Sequence, residues 1–308
     1  MRIAVTGSTG LVGRALVVAL EARGDTVFPV RRPGQSGGGL SWSPSEGASL
    51  EPKGGGGLDA VVHLAGAPIA AKRWSASYKE EITDSRVAGT RSLVAGLAAL
   101  ATPPRVLVSA SAVAIYGREA GDRVLCESHV TEADLGAESA GSDFLTGVAY
   151  GWERAAFGAR AVGIARVVTL RTGIVLAEDG GALERMLPLF KLGLGARLSS
   201  GKQWMSWITL GDLVRAILFA LDHEALDGPV NTDAPEPMTN ATFTKALGRA
   251  LWRPTFGFVP RLALRAMVGE FADAALLVSH RVVPERLLAA DFEFEDPELA
   301  GALARVLG

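Results

Sequence analysis

Three glycines near the start of the chain carry the first chemical signal: Gly7, Gly10 and Gly13 in MRIAVTGSTGLVG, spaced G-x-x-G-x-x-G. Ile3, Ala4 and Val5 make a short apolar run before them, and Leu11 opens a helical period after them, so the pattern predicts strand, tight turn, helix. In that setting Gly7 permits the turn, Gly10 lets the backbone approach a pyrophosphate, and Gly13 allows close helix–strand packing. Free amides at the helix start, at the positive end of its dipole, make an anion site. A second signal follows the next expected strand, Thr26 to Val30, where Arg31 and Arg32 stand with no acid nearby. An acidic residue at that strand end would accept from a ribose 2′-hydroxyl, whereas arginine accommodates a 2′-phosphate. NADP(H) is therefore expected over NAD(H), the alternative being a basic loop that faces solvent. A third candidate is Ser111, just after the strand expected at Arg105 to Ser109. Ligands of open α/β sheets bind at that end of the strands.

The elements that must position these residues follow from periodicity. Helices are expected at Leu11 to Arg23, Ser75 to Leu100, Asp143 (as cap) to Phe157, Leu183 to Leu194, Asp212 to Leu221, Asn240 to Trp252, Arg261 to Val268 and Glu298 to Leu307. Strands are expected at Thr26 to Val30, Leu40 to Trp42, Asp59 to Leu64, Arg105 to Ser109 and Gly163 to Leu170. The stretches 33–57 and 118–142 read as irregular surface segments, and 228–240, with three prolines, as a connector. Strands alternating with helices imply an α/β fold with a doubly wound parallel sheet of the Rossmann type, followed by a smaller, mainly helical C-terminal part. The expected division is 1–172 with 205–234 as the cofactor-binding domain, and 173–204 with 235–308 as the substrate domain. Ala65 and Gly66, after the strand ending at Leu64, are small enough for a dinucleotide to lie across that strand end. His63 reads as a hydrogen-bonded histidine of the core and not as a catalytic one.

Composition narrows the class. The chain has 308 residues and is 48% hydrophobic, enough for a sizeable core. Its net charge of −2 gives no overall electrostatic footprint for nucleic acid or an anionic membrane. Cys126 is the single cysteine, which excludes an internal disulfide and suits a reducing, cytoplasmic setting. The four histidines lie far apart without metal-ligand spacing, so no metal site is expected. No apolar run approaches the ~20 residues of a transmembrane helix.

Taken together, TGSTGLVG, DAVVHLAG, DSRVAGTRSLV (Asp84 to Val94, with Ser85 where Asn is usual), SASAVAIYG (Ser109 to Gly117), LRTGIVL (Leu170 to Leu176) and WITLGDLVRAI (Trp207 to Ile217) resemble the landmarks of an extended short-chain dehydrogenase/reductase. GAPIAAKRW, EDGGALERMLP, GKQWMSWI, GPVNTDAPEP and RVVPERLL resemble signatures of its "epimerase family" subgroup, which has its own C-terminal domain of unknown function. The resemblance runs from Met1 to Phe294 and departs at Asp291, where Gly is expected before Phe292. It implies a cofactor shell of Gly7, Ser8, Thr9, Gly10, Leu11 and Val12 in the turn. Arg31, Arg32, Leu64, Ala65, Gly66, Arg86 and Ser109 complete that shell.

For catalysis the superfamily uses a Tyr phenolate to shuttle the proton, a Lys four residues on to lower the Tyr pKa, and a Ser or Thr to polarise substrate. The resemblance implies Ser111, Tyr150 and, in place of Lys, Arg154; the i, i+4 spacing of the last two shares a helix face. The subgroup commonly has a Cys–basic pair where Ala149 and Tyr150 stand. Tyr116 reads as a structural turn residue and Asp212 as a helix cap. Lys72 to Trp74 and Trp204 to Ser206 could face substrate or fill interdomain core. The expected activity is an NADP(H)-dependent oxidoreductase or epimerase acting on a carbonyl or secondary alcohol of a small molecule. The competing expectation is an NADP(H)-binding regulator or scaffold with little turnover, because the Lys is absent. A homodimer is possible, with no nucleic-acid or membrane partner.

Overall fold

The computed structural model describes residues 1–34, 40–52, 55–118, 120–136 and 143–308. Six strands form one parallel sheet: β1 Arg2–Thr6, β2 Thr26–Val30, β3 Ala60–His63, β4 Val106–Ala112, β5 Arg166–Thr172 and β6 Gly228–Thr232, in the order β6-β5-β4-β3-β1-β2. The chain runs outward from β1 to β2 through α1 Leu11–Ala22, then crosses back to β3 on the other side of β1. That reversal opens a crevice at the strand ends between β1 and β3, the place where such sheets bind ligands.

Alternation along the strands explains the two faces. Ile3, Val5, Val62, Val108 and Val168 pack with Leu16 and Leu20 of α1 and with Leu213 and Ile217 of α5 Leu210–Asp222. Ala4, Val61, Leu107 and Val167 point to the opposite face. There they meet Leu93 and Leu97 of α2 Ala76–Ala98, and Ala149 and Ala156 of α3 Phe144–Phe157. Ser75 caps α2 by accepting from the Tyr78 amide, and Asp143 caps α3 by accepting from the Thr146 amide.

A third cluster lies outside the sheet. Leu183, Leu187 and Phe190 of α4 Gly181–Lys191 meet Trp207, Phe243 and Leu247 of α6 Asn240–Ala250, together with Leu303 of α9 Leu299–Leu307. Helices α7 Arg261–Val268 and α8 Glu285–Ala289 complete the α-helices of the described residues, and a π-helical turn, Ala272–Leu276, follows α7. Short strands accompany them: Gly195–Leu198 pairs with Thr255–Val259, and Trp204–Met205 with Met238–Thr239.

Several expectations are corrected. Residues 228–232 are a strand, not a connector; Pro229 is tolerated because β6 pairs only with β5 and so sits at the sheet edge. β4 runs to Ala112, so Ser111 lies inside the strand and not beyond it. The strand expected at Leu40 to Trp42 is one arm of a hairpin, Ser41–Ser43 with Gly47–Ser49. Strand β5 begins at Arg166, after a 3-10 turn at Gly158–Val162 that ends on left-handed Gly163. Helix α4 stops at Lys191, short of Leu194, with Pro188 in its last turns. The irregular stretch 118–142 contains the two-residue strand Val124–Leu125, paired with Arg281–Val282; residues 119 and 137–142 lie outside the described set.

Thr209, not Asp212, caps α5. The Asp212 carboxylate instead accepts from the Glu295 and Asp296 amides, each at 2.9 Å, and ties the C-terminal segment to the helix. Asp291, where glycine was expected, is left-handed with φ 59°. That conformation favours glycine, though Asp tolerates it better than most residues.

Candidate functional site

The glycine turn is built so that side chains cannot enter it. Gly7 has φ 69°, and a Cβ there would lie 2.8 Å from the Leu64 carbonyl carbon, so β1 and β3 approach too closely for any other residue. A Cβ on Gly13 would lie 2.8 Å from the Gly7 carbonyl carbon, which makes Gly13 the seat on which the turn rests. A Cβ on Gly10 would meet only the Gly7 carbonyl oxygen, at 3.3 Å, and Gly10 otherwise faces the crevice. Gly10 is also the N-cap of α1 and offers no side-chain cap. The first helical amides therefore lack an internal partner and are available to an anion.

Two cavities share Gly7, Gly10 and Leu64 and form the two halves of one cleft across the sheet end. The outer half, about 640 Å³, is lined by Ser8, Thr9, Arg31, Arg32, Ala65 and Gly66. The inner half, about 360 Å³, is lined by Leu11, Val12, Arg86, Ser111, Ala149 and Trp152 and is mostly apolar. Phosphates at the turn would thus place one end of an elongated dinucleotide against the two arginines and the other against Ser111. An open helix start, a cradle that Cβ atoms would fill and paired cations at one end fit that kind of group.

His63 holds the crevice together. Its ring bridges Thr6 Oγ1 at 2.7 Å and Thr90 Oγ1 at 3.0 Å, and Thr6 Oγ1 also accepts from the Ala65 amide. Burial lowers its pKa to about 4, so the ring is neutral at pH 7. Arg86 is half-buried, with its Nη1 on the carbonyls of Ala67 and Ile82 and its guanidinium over the Trp152 ring, 5.0 Å from the centroid. Burial lowers its pKa to about 10, and it remains a cation facing the inner cavity.

The structure divides the expected catalytic set. Ser111 lines the inner cavity, 5% exposed, and its hydroxyl donates to Glu153 Oε1 at 2.7 Å. Tyr150 and Arg154 are not among the described walls of that cavity. Leu145, Val148, Ala149 and Trp152 form the cavity face of α3, as i, i+3, i+4 spacing requires. Tyr150 is turned from it, packing with the cluster that contains Val130 and Leu135, where burial and then the Asp134 charge raise its pKa. Arg154 is exposed. The cavity-facing position is Ala149, one residue earlier than the phenol assigned by resemblance. Ser109, fully buried, donates to the Ala110 carbonyl and is also absent from the described cleft walls.

Behind Ser111 lies a polar network that sequence reading did not single out. Glu153 accepts from Arg171 Nε and Nη2, both at 2.8 Å, and neither side chain is exposed. Burial alone would lower the Arg171 pKa, but the hydrogen-bonded Glu153 carboxylate outweighs it and holds the guanidinium above its ordinary value. Arg171 Nη1 donates to the Tyr116 hydroxyl, which donates to Asn231 Oδ1 at 2.6 Å. Burial raises the Tyr116 pKa. With its hydroxyl committed, Tyr116 fits the structural role expected of it. Two charges in otherwise apolar stretches, Arg171 in VVTLRT and Glu153 beside Trp152, were the available signal, since a buried charge requires a partner.

The other substrate-facing candidates tie elements together. Trp74 Nε1 donates to the Ile69 carbonyl while its ring meets Phe144 and Phe271 edge-on. Arg73 bonds the Ala266 carbonyl, and Lys72 pairs with Glu81 at the surface. Trp204 Nε1 donates to Asp122, and Ser206 Oγ to the His280 carbonyl.

This sheet order with its glycine cleft defines a Rossmann-like, dinucleotide-binding type of fold. A family model described as the NAD dependent epimerase/dehydratase family matches residues 3–134, and a domain of unknown function (DUF1731) matches residues 259–306. An epimerase family protein of Mycobacterium bovis is 45% identical over 302 residues, covering 98% of this chain and 96% of that protein. The human epimerase family protein SDR39U1 is 35% identical over 311 residues, covering all of both chains. The chain belongs to the epimerase family. A crystal structure of the human protein with NADPH superposes with a TM-score of 0.85 at 32% identity, covering 99% of each chain. A nucleoside-diphosphate sugar epimerase from Corynebacterium glutamicum superposes at 0.72 with 33% identity, covering all of this chain and 58% of that one.

Proposed function

We propose that the chain binds NADP(H) along this cleft and uses it to oxidise or reduce a carbonyl or secondary alcohol of a small molecule. The carrying observation is that Arg31 and Arg32 line the same cavity as the glycine turn, with no acid at the end of β2. Arginines at that strand end suit a 2′-phosphate. The NADPH bound to the human relative supports the reading. Gly7 to Val12 would hold the pyrophosphate and Ala65 and Gly66 would admit the adenosine half, with the Arg86 guanidinium beside Gly66, between that half and the inner cavity.

The cofactor, when bound, supplies or accepts a hydride. Ser111 would handle the substrate oxygen and its proton: on oxidation the substrate O–H proton would pass to Ser111 Oγ as the Ser111 proton passes to the Glu153 carboxylate, and reduction would run the same relay in reverse. The Ser111 hydrogen is directed at Glu153, so its lone pairs face the cavity and accept from a substrate hydroxyl. Arg86 offers positive charge to a carbonyl oxygen that gains electron density. Tyr150 as proton shuttle and Arg154 as its cationic partner would require α3 to turn toward the cavity, and the geometry favours Ser111 and Arg86 instead. A screen of aldehydes and ketones, following loss of nicotinamide absorbance, tests the activity; Ser111→Ala should lower kcat with NADPH affinity retained.

The absence of a phenol–lysine pair from the described cavity walls favours a second reading, an NADP(H)-binding regulator with little turnover. Tight NADPH binding without turnover across the screen would select it.

A further inference from the structure

The overall charge of −2 conceals a local field of the opposite sign. Residues 185–211 and 237–269 contain no Asp or Glu and nine Lys or Arg. The fold joins these two stretches: Gly195–Leu198 pairs with Thr255–Val259, and Arg253 Nε donates to the Lys191 carbonyl at 2.8 Å. The joined unit also carries large apolar side chains on its outside. Trp252 is 90% exposed, Leu262 78%, Leu192 74% and Phe256 73%, with Leu194 and Met267 also outward. Of the twelve exposed large hydrophobic residues among those described, eight belong to these two stretches. Scattered exposed apolar residues are ordinary, whereas a contiguous group marks an interaction surface.

The nearby acids cancel only part of the field, because Arg185, Arg197, Lys202, Lys245, Arg249 and Arg253 have no carboxylate partner among the described residues. Asp273 is held by Arg261 and Arg265, Glu270 by Lys79, and Glu178 lies 3.9 Å from Lys191. Lys245 and Arg249, one helical turn apart on α6, are exposed and precede Trp252 directly. A second copy docking through this face would set like charges against each other. Nucleic acid would match the cations but leave Leu262, Met267 and Leu192 without a partner. Indole, phenyl and aliphatic side chains rimmed by Lys and Arg match the headgroup–acyl boundary of an anionic bilayer, where the cations meet lipid phosphates.

We propose that the face built from residues 189–197 and 245–267 docks on the surface of an anionic phospholipid membrane. This surface association needs no spanning segment, and among the described residues no helix is long and apolar enough to cross a membrane. The proposal is independent of the cofactor reading, because neither cavity of the cleft includes these residues.

Co-sedimentation of the full chain with vesicles tests it. At low salt the protein should pellet with equal parts phosphatidylglycerol and phosphatidylcholine, remain in the supernatant with phosphatidylcholine alone, and be released as salt screens the charges. Trp252→Ser combined with Phe256→Ser, and separately Lys245→Glu combined with Arg249→Glu, should each lower the bound fraction about tenfold while keeping the wild-type thermal transition. The salt series on the unmodified protein stands even if a variant fails to fold. Wild-type protein left in the supernatant with anionic vesicles overturns the proposal. Dimerisation abolished by Trp252→Ser, without vesicle binding, also overturns it and assigns the face to a second copy.

Discussion

Glu153 and Arg171 meet in a two-pronged ion pair, both bonds 2.8 Å, with no exposure on either side chain. The pair joins α3 to β5 directly behind Ser111, whose hydroxyl rests on the same carboxylate. Removing one partner of such a pair leaves a buried charge, at a cost of about 3–5 kcal/mol. Arg171→Met should lose that much stability in urea unfolding, whereas Glu153→Leu combined with Arg171→Met should lose clearly less. Equal losses would mean that the site depends on volume and not on charge pairing.

The glycines of the turn should separate folding from binding. Gly13→Ala drives a methyl into the Gly7 carbonyl and should cost about 1–3 kcal/mol, as overpacked sites do. Gly10→Ala meets only the Gly7 carbonyl oxygen, at 3.3 Å, and otherwise projects into the cleft. It should leave the thermal transition near that of the wild type yet weaken NADPH binding at least tenfold. Calorimetry and fluorescence titration on both variants check the contrast; a Gly10→Ala protein that binds normally would show that no ligand approaches this turn.

Much of this arrangement is legible in the sequence because it depends on local rules. Gly7, Gly10 and Gly13 announce a turn, and Ile3, Val5 and Ala4 alternate as a strand buried on both faces requires. Arg31 and Arg32 are read from their distance to the glycines alone. Less legible is what depends on rotation and register. Tyr150 and Ala149 are neighbours in sequence, but about 100° of helical turn decides which one faces the cavity. Strand β6 was hidden by Pro229, because its edge position is a tertiary fact. Arg171 pairs with Glu153 across elements that the sequence does not bring together.

Asp233 should oppose stability at neutral pH. It is fully buried, its Oδ1 accepts from the Gly173 amide at 3.0 Å, and Oδ2 has no partner within the described protein. Burial raises its pKa well above the usual carboxylate value. A folded-state pKa above the unfolded value gives stability that is complete below the unfolded pKa and declines as pH rises toward the folded one. Asp233→Asn should therefore raise the melting temperature at pH 7 and flatten the decline as pH rises above the usual carboxylate range, which thermal scans across pH would show. An unchanged slope would contradict a raised Asp233 pKa.

His63 should act in the opposite direction. Its pKa falls from 6.5 to about 4 through burial, so the neutral ring favours the folded state. The stability is intact above the unfolded pKa and is lost as pH falls from 6.5 toward 4, on the order of 3 kcal/mol. His63→Asn should reduce this acid-side loss in denaturant titrations at pH 7 and pH 4.5. Wild-type and variant proteins losing stability in parallel would remove His63 as its source.

The most direct measurement of the central claim is a paired fluorescence titration of NADPH and NADH against the wild-type chain and the Arg31→Ala, Arg32→Ala double variant. The wild-type chain should prefer NADPH, and the double variant should lose about tenfold or more in NADPH affinity and little in NADH affinity, since each ionic phosphate contact contributes about 1.5–3 kcal/mol. Equal wild-type affinities, or parallel losses for both nucleotides, would contradict a 2′-phosphate site at the end of β2.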